Sequence, residues 1–167
     1  MKKADLDRLT TAAVVARTRA YAPYSNYRVG AALLTEAGQV HAGCNVESST
    51  FGATLCAERS AVAAMVGAGD RDPVACVVAT GGSRPASPCG ICRQVLSEFA
   101  DDLEVHMIAV GSRGEVVAHR QSTLAALFPQ AFRLGEARGG GAERVSSVGP
   151  AKRAAPKKRA APKRRGQ

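Results

Sequence analysis

Apolar residues recur along the chain at two different periods. A spacing of three or four positions, as for Leu6, Leu9 and Ala13, is typical of a helix that packs through one face. Short apolar runs with β-branched residues are typical of strands. These patterns predict helices at residues 4–20, 56–66, 91–99 and 122–127, and strands at residues 28–35, 40–46, 74–79, 104–110 and 115–119. The predicted order is αββαβαββα.

This order predicts an α/β fold with three layers, in which one mixed, five-stranded sheet carries helices on both faces. The wholly apolar run at residues 74–79 is typical of a strand buried on both sides. A right-handed crossover would place the helices at 56–66 and 91–99 on the same side of the sheet. The residues of these two helices that we expect to pack inward are Ala57, Ala61, Ala64, Met65, Val95, Leu96 and Phe99.

The composition and the charge change near Gly135. Residues 138–167 contain ten Lys or Arg and one Glu, which accounts for the +9 net charge of the whole chain, whereas residues 1–137 carry equal numbers of acidic and basic side chains. We therefore expect a folded domain at residues 1–135 and a basic, disordered tail rich in Ala, Pro, Lys and Arg at residues 136–167. Such a tail either binds polyanions, including nucleic acid, without sequence preference or is a solvated appendage.

The cysteines and the apolar runs set expectations about the cellular compartment. No apolar run is long enough to cross a bilayer, and Met1-Lys2-Lys3 is not followed by a secretory apolar core, so we expect a soluble, cytoplasmic protein without a membrane partner. Five cysteines are an odd number, which favours reduced thiols over a disulfide framework. Cys76 and Cys44 lie in predicted strands, and we expect both to be packed core thiols.

Three cysteines and one acid lie in two short runs, Cys56-Ala57-Glu58-Arg59 and Pro88-Cys89-Gly90-Ile91-Cys92-Arg93. Each run opens a predicted helix, so the thiols of Cys56, Cys89 and Cys92 are expected to converge where the two helices begin. Zn²⁺ with three protein ligands keeps a position for water and lowers the pKa of that water. Glu58 is expected to face this position and to accept the proton. The alternative is a closed structural site, completed by Cys44 or by a histidine.

Neighbouring residues are expected to support the three thiolates. Helix N-termini carry a positive dipole end that lowers the pKa of a thiol. Arg59 and Arg93 are expected to donate hydrogen bonds to the sulfurs without binding the ion themselves. Ser87 fits a cap for the helix that follows Pro88, and Ser122 fits a cap for the last helix. His41, His106 and His119 have no ligand spacing and are expected to be ordinary strand or surface residues.

The two runs and their flanks resemble the small cytidine deaminases that act on free nucleosides. Zinc deaminases share a ligand-x-Glu pattern followed by Pro-Cys-x-x-Cys, with a three-cysteine variant. The flanking matches are Ala20–Ala32 (AYAPYSNYRVGAA) and Gly43–Glu47 (GCNVE), and the resemblance covers residues 10 to 135. It implies a five-stranded deaminase fold, a Zn²⁺ cofactor, a homotetramer, and hydrolytic deamination of cytidine and deoxycytidine in pyrimidine salvage.

The resemblance also implies roles for individual residues. It makes Glu58 the catalytic acid and base, Asn45 and Glu47 the ligands of the ribose hydroxyls, and the Ala57 N–H a donor to the pyrimidine 2-oxo group. Asn45 and Glu47 are one residue apart on an extended chain and therefore share a face; the alternative is that they cap a strand end.

Aromatic residues complete the implied pocket, with some departures from the family pattern. Tyr27 stands where a pocket-wall Phe is usual, and Phe132, with Phe128 as the alternative, matches a Phe that stacks on the base across a subunit boundary. Phe51 and Ser48 stand where Tyr and Asn are common. The departure at Phe51 argues against an intersubunit contact to the ribose at this position. The deamination chemistry does not depend on that contact.

Two other functions use the same residues. In the first, the zinc chemistry acts on cytosine in RNA or DNA and the tail supplies affinity for phosphate. The Asn45 and Glu47 pair argues against this reading, because it suits a free ribose hydroxyl that a polynucleotide would have esterified. In the second, the chain is a non-enzymatic, zinc-stabilised module that binds nucleic acid and would hold zinc without deaminating anything.

Overall fold

We describe a computed structural model of the protein over residues 1–134. Its helices are α1 (Lys3–Thr18), α2 (Ala57–Gly67), α3 (Gly90–Ser97) and α4 (Leu124–Leu127), and a 3₁₀ turn spans Phe51–Ala53. Its strands are β1 (Val29–Thr35), β2 (Val40–Cys44), β3 (Pro73–Gly81), β4 (Glu104–Val110) and β5 (Val116–Thr123). This order confirms the predicted αββαβαββα arrangement. The predicted tail at 136–167 lies outside the described residues.

The five strands form one mixed sheet in the order β2-β1-β3-β4-β5. Strands β3 and β4 run parallel, and the other neighbouring pairs run antiparallel. The hairpin of β1 and β2 is confirmed by the pairing of Leu34 with Val40 and of Gly30 with Cys44. Strand β5 continues to Thr123, beyond the predicted end at His119, because its polar second half pairs with β4 as far as Glu104.

Two apolar clusters divide the protein into three layers. The first cluster lies between the sheet and helices α2 to α4, and the second lies between the sheet and α1. Helices α2 and α3, which begin at the two cysteine-containing runs, therefore pack on the same face of the sheet, as predicted. The core residues that represent the first cluster are Leu33, Ala61, Met65, Leu96 and Met107, and those that represent the second are Leu9, Ala13, Leu34, Val77 and Ile108.

The position of α2 on the sheet depends on a glycine in β2. A Cβ at Gly43 would lie 2.4 Å from the backbone nitrogen of Ala61, closer than side chains tolerate. In addition, the Ser60 hydroxyl donates a hydrogen bond to the Cys44 carbonyl at 2.8 Å. Strand β2 and helix α2 are therefore in backbone contact, and this contact fixes the position of the run Cys56-Ala57-Glu58-Arg59 at the start of α2.

Two local predictions about helices α2 and α3 were wrong. In α2, Val62 is buried and Ala64 is exposed, since an alanine-rich helix does not reveal its buried face through residue type. Helix α3 begins at Gly90 with Cys89 at the N-cap, so Ser87 is not its cap; the Ser87 hydroxyl instead accepts a hydrogen bond from Arg120 at 2.7 Å.

The cap of the last helix was also misplaced by one residue. Thr123 accepts the backbone N–H of Ala126 at 3.2 Å, whereas the Ser122 hydroxyl donates to a carbonyl. The reason is that β5 pairing extends to Thr123, which delays the helix start. Cys76 is fully buried as predicted, but Cys44 is only half-buried at the end of β2.

The three histidines lie in strands, as predicted, and each also has a polar side-chain partner. His106 is buried; its Nδ1 lies 2.9 Å from His119 Nε2, and its Nε2 lies 3.0 Å from a Glu104 carboxylate oxygen. His41 Nε2 lies 2.7 Å from an oxygen of Asp70. Within residues 1–134, no helix combines the length and the apolar character needed to cross a membrane.

Candidate metal centre

Three sulfurs come together where α2 and α3 begin. Cys56 and Cys89 occupy the N-cap positions of these helices, and Cys92 lies in the first turn of α3. All three Sγ atoms lie within 4.8 Å of one another, and those of Cys56 and Cys89 are 4.0 Å apart. Tetrahedral Zn²⁺ with bonds of about 2.3 Å to sulfur requires sulfurs about 3.8 Å apart. The donor set and its spacing therefore fit Zn²⁺.

No fourth protein ligand joins these sulfurs among residues 1–134. The cluster of His, Cys and acidic side chains found there contains Cys56, Cys89 and Cys92 alone. The candidate histidines have other contacts, since His41 lies against Asp70 and His106 against His119. The structure therefore does not favour the closed site that the sequence left open.

The electrostatics of the sulfur cluster favour a thiolate at Cys56. The pKa of Cys56 falls to about 5, chiefly because the Cys92 thiol donates a hydrogen bond to it, with further help from Arg59. The pKa of Cys92 rises for the converse reason, since its proton serves that bond, and because it is buried. Both helix N-termini direct their positive dipole ends at the same place.

The two arginines that were expected to contact sulfur behave differently. Arg59 Nη2 lies 3.8 Å from the Cys56 sulfur, as the sequence suggested, and it also donates to the Thr54 carbonyl at 2.5 Å. Arg93 instead donates to the carbonyls of Pro88 and Leu127, each at 2.8 Å. Successive helical residues are turned by about 100°. Arg93 is therefore directed away from the neighbouring Cys92 and connects α3 to α4.

Glu58 is a buried acid in the first turn of α2. Its side chain is 4% exposed, and burial raises the pKa of its carboxyl, with the nearby Cys56 charge adding to the effect. Ala57, which begins the helix, is fully buried, and its N–H belongs to the group at a helix start that has no intrahelical acceptor. The start of α2 thus brings a carboxylate and a backbone donor next to the sulfurs.

Asn45 and Glu47 lie just beyond β2 and both bind the loop that precedes β1. Asn45 is buried; its Oδ1 accepts the Val29 N–H at 2.8 Å and its Nδ2 donates to the Tyr27 carbonyl at 2.9 Å. The carboxylate of Glu47 accepts the Tyr24 N–H at 2.9 Å and the hydroxyl of Ser25. The strand-end capping that the sequence left open as an alternative therefore occurs. Each of the two side chains keeps hydrogen-bonding positions that these contacts do not use, and these positions are available to a ligand.

The aromatic candidates differ in exposure. Phe128 packs against the core, whereas Phe132 is 61% exposed and Tyr27 is 45% exposed. Phe132 is held next to α3 by Gln94, whose Nε2 donates to the Phe132 carbonyl at 2.9 Å and whose Oε1 accepts its N–H at 3.2 Å. Phe51 is also exposed and meets Tyr24 edge to face, with ring centroids 6.0 Å apart.

Several residues at the site were not found by sequence reasoning. Ser25 contacts Glu47, Ser60 links β2 to α2, and Gln94 holds the backbone of Phe132. Each is a common polar residue in a loop or on a helix, and none forms a motif with its partner. Only the folded chain brings these pairs together, so no sequence spacing could have indicated them.

Comparison with known proteins agrees with this geometry. Residues 3–108 match the family model described as the cytidine and deoxycytidylate deaminase zinc-binding region. The chain belongs to this family. A cytidine deaminase of Sporosarcina psychrophila is 40% identical over 128 residues, which covers 77% of this chain and 91% of that protein. The cytidine deaminase of Mycobacterium tuberculosis (strain ATCC 25618 / H37Rv) is 38% identical over 136 residues, covering 80% and 94%.

Solved structures of family members show the same fold. The crystal structure of cytidine deaminase from Burkholderia pseudomallei superimposes with a TM-score of 0.68 at 41% identity, over 79% of this chain and all of that chain. The crystal structure of cytidine deaminase from Mycobacterium leprae gives a TM-score of 0.63 at 37% identity, over 75% and 98%. The mixed five-stranded sheet with helices on both faces is therefore the family fold.

Proposed function

We propose that this protein is a zinc-dependent cytidine deaminase that converts cytidine and deoxycytidine to uridine and deoxyuridine in pyrimidine salvage, releasing ammonia. The observation that carries the proposal is the convergence of three sulfurs at two helix N-termini, directly beside a buried carboxylate. A three-ligand site keeps a position for water, which a closed structural site would not. The acid beside it supplies the proton transfers that hydrolysis of an amidine needs.

In this proposal Cys56, Cys89 and Cys92 hold the ion, and Arg59 supports the Cys56 sulfur. When bound, Zn²⁺ polarises a water molecule so that it becomes nucleophilic near neutral pH. Glu58 accepts a proton from the water that attacks C4 and delivers a proton to N3. It then takes the remaining proton from the new hydroxyl on C4 and transfers it to the amino nitrogen as the C4–N bond breaks. C4 becomes a carbonyl and ammonia leaves, so that one residue acts as base and acid in turn.

The remaining pocket residues bind and orient the nucleoside. The Ala57 N–H at the start of α2 donates to the 2-oxo group, and Asn45 and Glu47 bind the ribose hydroxyls as donor and acceptor. Tyr27 forms part of the pocket wall. Phe132, exposed and held beside α3 by Gln94, is available to stack on a base bound by a neighbouring subunit.

The competing function is deamination of cytosine in RNA or DNA. Residues 1–137 carry no net charge, so the excess positive charge that would favour a polynucleotide lies in the basic tail. Asn45 and Glu47 favour a nucleoside instead, because their hydrogen bonds suit a free 3′-hydroxyl. The test compares turnover of cytidine with turnover of a cytosine-containing oligonucleotide by ultraviolet absorbance, with and without a strong chelator. Conversion of cytidine that the chelator abolishes supports the proposal, whereas conversion of the oligonucleotide alone contradicts it.

We further propose a cytoplasmic homotetramer whose subunits complete one another's pockets. The exposed rings of Tyr24 and Phe51, which contact each other edge to face, support this assembly, since contiguous exposed apolar surface commonly marks an interface. Light scattering on the purified protein tests the proposal, and an active monomer would contradict it. The tail at 138–167 is proposed to bind polyanions, nucleic acid included, weakly and in a salt-dependent way.

A further inference from the structure

The carboxylate of Glu47 is held by one turn of the loop that precedes β1. Its Oε2 accepts hydrogen bonds from the backbone N–H groups of Tyr24 at 2.9 Å and Ser25 at 3.2 Å, and its Oε1 accepts the Ser25 hydroxyl. An ionised carboxylate has about four acceptor positions. Three of them are therefore used inside the protein, and one remains for a ligand hydroxyl.

The Ser25 hydroxyl connects Glu47 to the backbone of the same turn. While it donates to Glu47, it accepts the N–H of Tyr27 at 2.9 Å. Between the two, Asn26 has a φ of 56°, a left-handed conformation that is uncommon for a residue other than glycine. Since a serine hydroxyl has one proton and free lone pairs, this one hydroxyl both stabilises the turn and fixes the direction of the carboxylate.

Asn45 is attached to the same turn through the Tyr27 carbonyl. A change in the turn therefore reaches both residues that are proposed to bind ribose. Asn45, however, is buried and is also held by the Val29 N–H, whereas Glu47 is only partly buried. The direction of the Glu47 side chain consequently depends on the loop more strongly than that of Asn45.

We propose that Ser25 is a positioning residue for ribose recognition, which aims the Glu47 carboxylate at the free 3′-hydroxyl of a nucleoside. The inference rests on the proposed function, because it takes Glu47 as the acceptor of that hydroxyl. The hydrogen bond from Ser25 is also the main reason why the pKa of Glu47 lies below its ordinary value. A carboxylate that stays ionised in this way remains a pure acceptor.

The test compares Ser25→Ala with Ser112→Ala, which removes an exposed hydroxyl in the turn between β4 and β5. Ser25→Ala should raise KM for cytidine about tenfold with kcat nearly unchanged, since the lost hydrogen bond orients a group that binds the ground state and the transition state alike. The inhibition constant of 2′,3′-dideoxycytidine, which lacks the 3′-hydroxyl, should be the same as for the wild type. An unchanged KM for cytidine, or an equal loss of affinity for the dideoxynucleoside, overturns the inference.

A double-mutant cycle separates positioning from a general loss of structure. If Ser25 acts through Glu47, then Ser25→Ala in a Glu47→Ala background should raise KM no further than Glu47→Ala alone, because alanine leaves no acceptor for the Ser25 hydroxyl. Independent, multiplying effects contradict the inference, and the urea midpoint and zinc content of each variant verify that it is folded. If the wild-type protein converts no free nucleoside, both the proposed function and the proposed role of Ser25 are refuted. An active wild type with a Ser25→Ala variant that behaves like Ser112→Ala refutes only the role of Ser25.

Discussion

The substitution Gly43→Ala, which adds one methyl group, tests how closely strand β2 packs against helix α2, whose first turn lies at the metal centre. The added Cβ would lie 2.4 Å from Ala61 N and 2.5 Å from Ser60 Cβ, in the middle of α2. Ordinary contacts between such atoms begin near about 3.5 Å, so α2 must move away from β2 by about 1 Å. Because α2 begins with Ala57 and Glu58, the shift displaces the buried acid.

The expected cost of Gly43→Ala is about 3 kcal/mol, the upper end of the range for one extra carbon in a packed interior. For a folded unit of this size that loss lowers the melting temperature by about 12 °C. A displacement of about 1 Å in a catalytic group lowers turnover by about 100-fold. Urea and thermal unfolding and the cytidine absorbance assay measure these effects.

The matched control is Gly67→Ala at the other end of the same helix. A Cβ at Gly67 meets no heavy atom within 4 Å, so the change should be neutral or stabilise the protein by up to about 1 kcal/mol through helix propensity. A Gly43→Ala variant with the stability and turnover of Gly67→Ala would refute the reasoning, because α2 and β2 would then have room for a side chain between them.

Other predictions concern His106 and the tail. Burial holds the pKa of His106 below its ordinary value, so the unfolded chain binds a proton more readily, and the free energy of unfolding should decrease as pH falls below about 6.5. Glu104, His119 and the Met1 ammonium group also belong to this network, so the wild type is compared with His106→Asn. In the variant, the free energy of unfolding should change less with pH between pH 7.5 and 5.5. The same pH dependence in both proteins would exclude His106 as the cause. Deletion of residues 138–167 should leave kcat and KM for cytidine unchanged while affinity for an oligonucleotide decreases, and loss of folding on deletion would show that the predicted domain boundary is wrong.

The metal cluster could be predicted from sequence because it depends on local rules. Cys56 and Cys89 each precede a helical run, and both helices pack on one face of the sheet through the handedness of the crossover. Strand β4 was predicted with its observed bounds, since its apolar run is buried on both faces. Elements and contacts that follow from hydrophobic periodicity and from the handedness of connections can therefore be predicted from a single sequence.

Contacts that depend on register or on loop conformation could not be predicted. His106 meets His119 because Ile108 pairs with His119 across β4 and β5, which places the two rings on a diagonal. No pattern within either strand specifies that register. The contact of Ser25 with Glu47 likewise requires the left-handed turn at Asn26, and the contact of Arg93 with Leu127 requires the position of α4.

The most direct test of the central claim is the zinc content and cytidine turnover of Glu58→Gln beside the wild type. The claim is that three cysteines hold the ion and that a separate acid transfers the protons, so both proteins should bind one zinc per chain while the variant loses turnover by about 10⁴-fold. A zinc-loaded variant that retains substantial turnover, or a carefully prepared, active wild type without zinc, would contradict it.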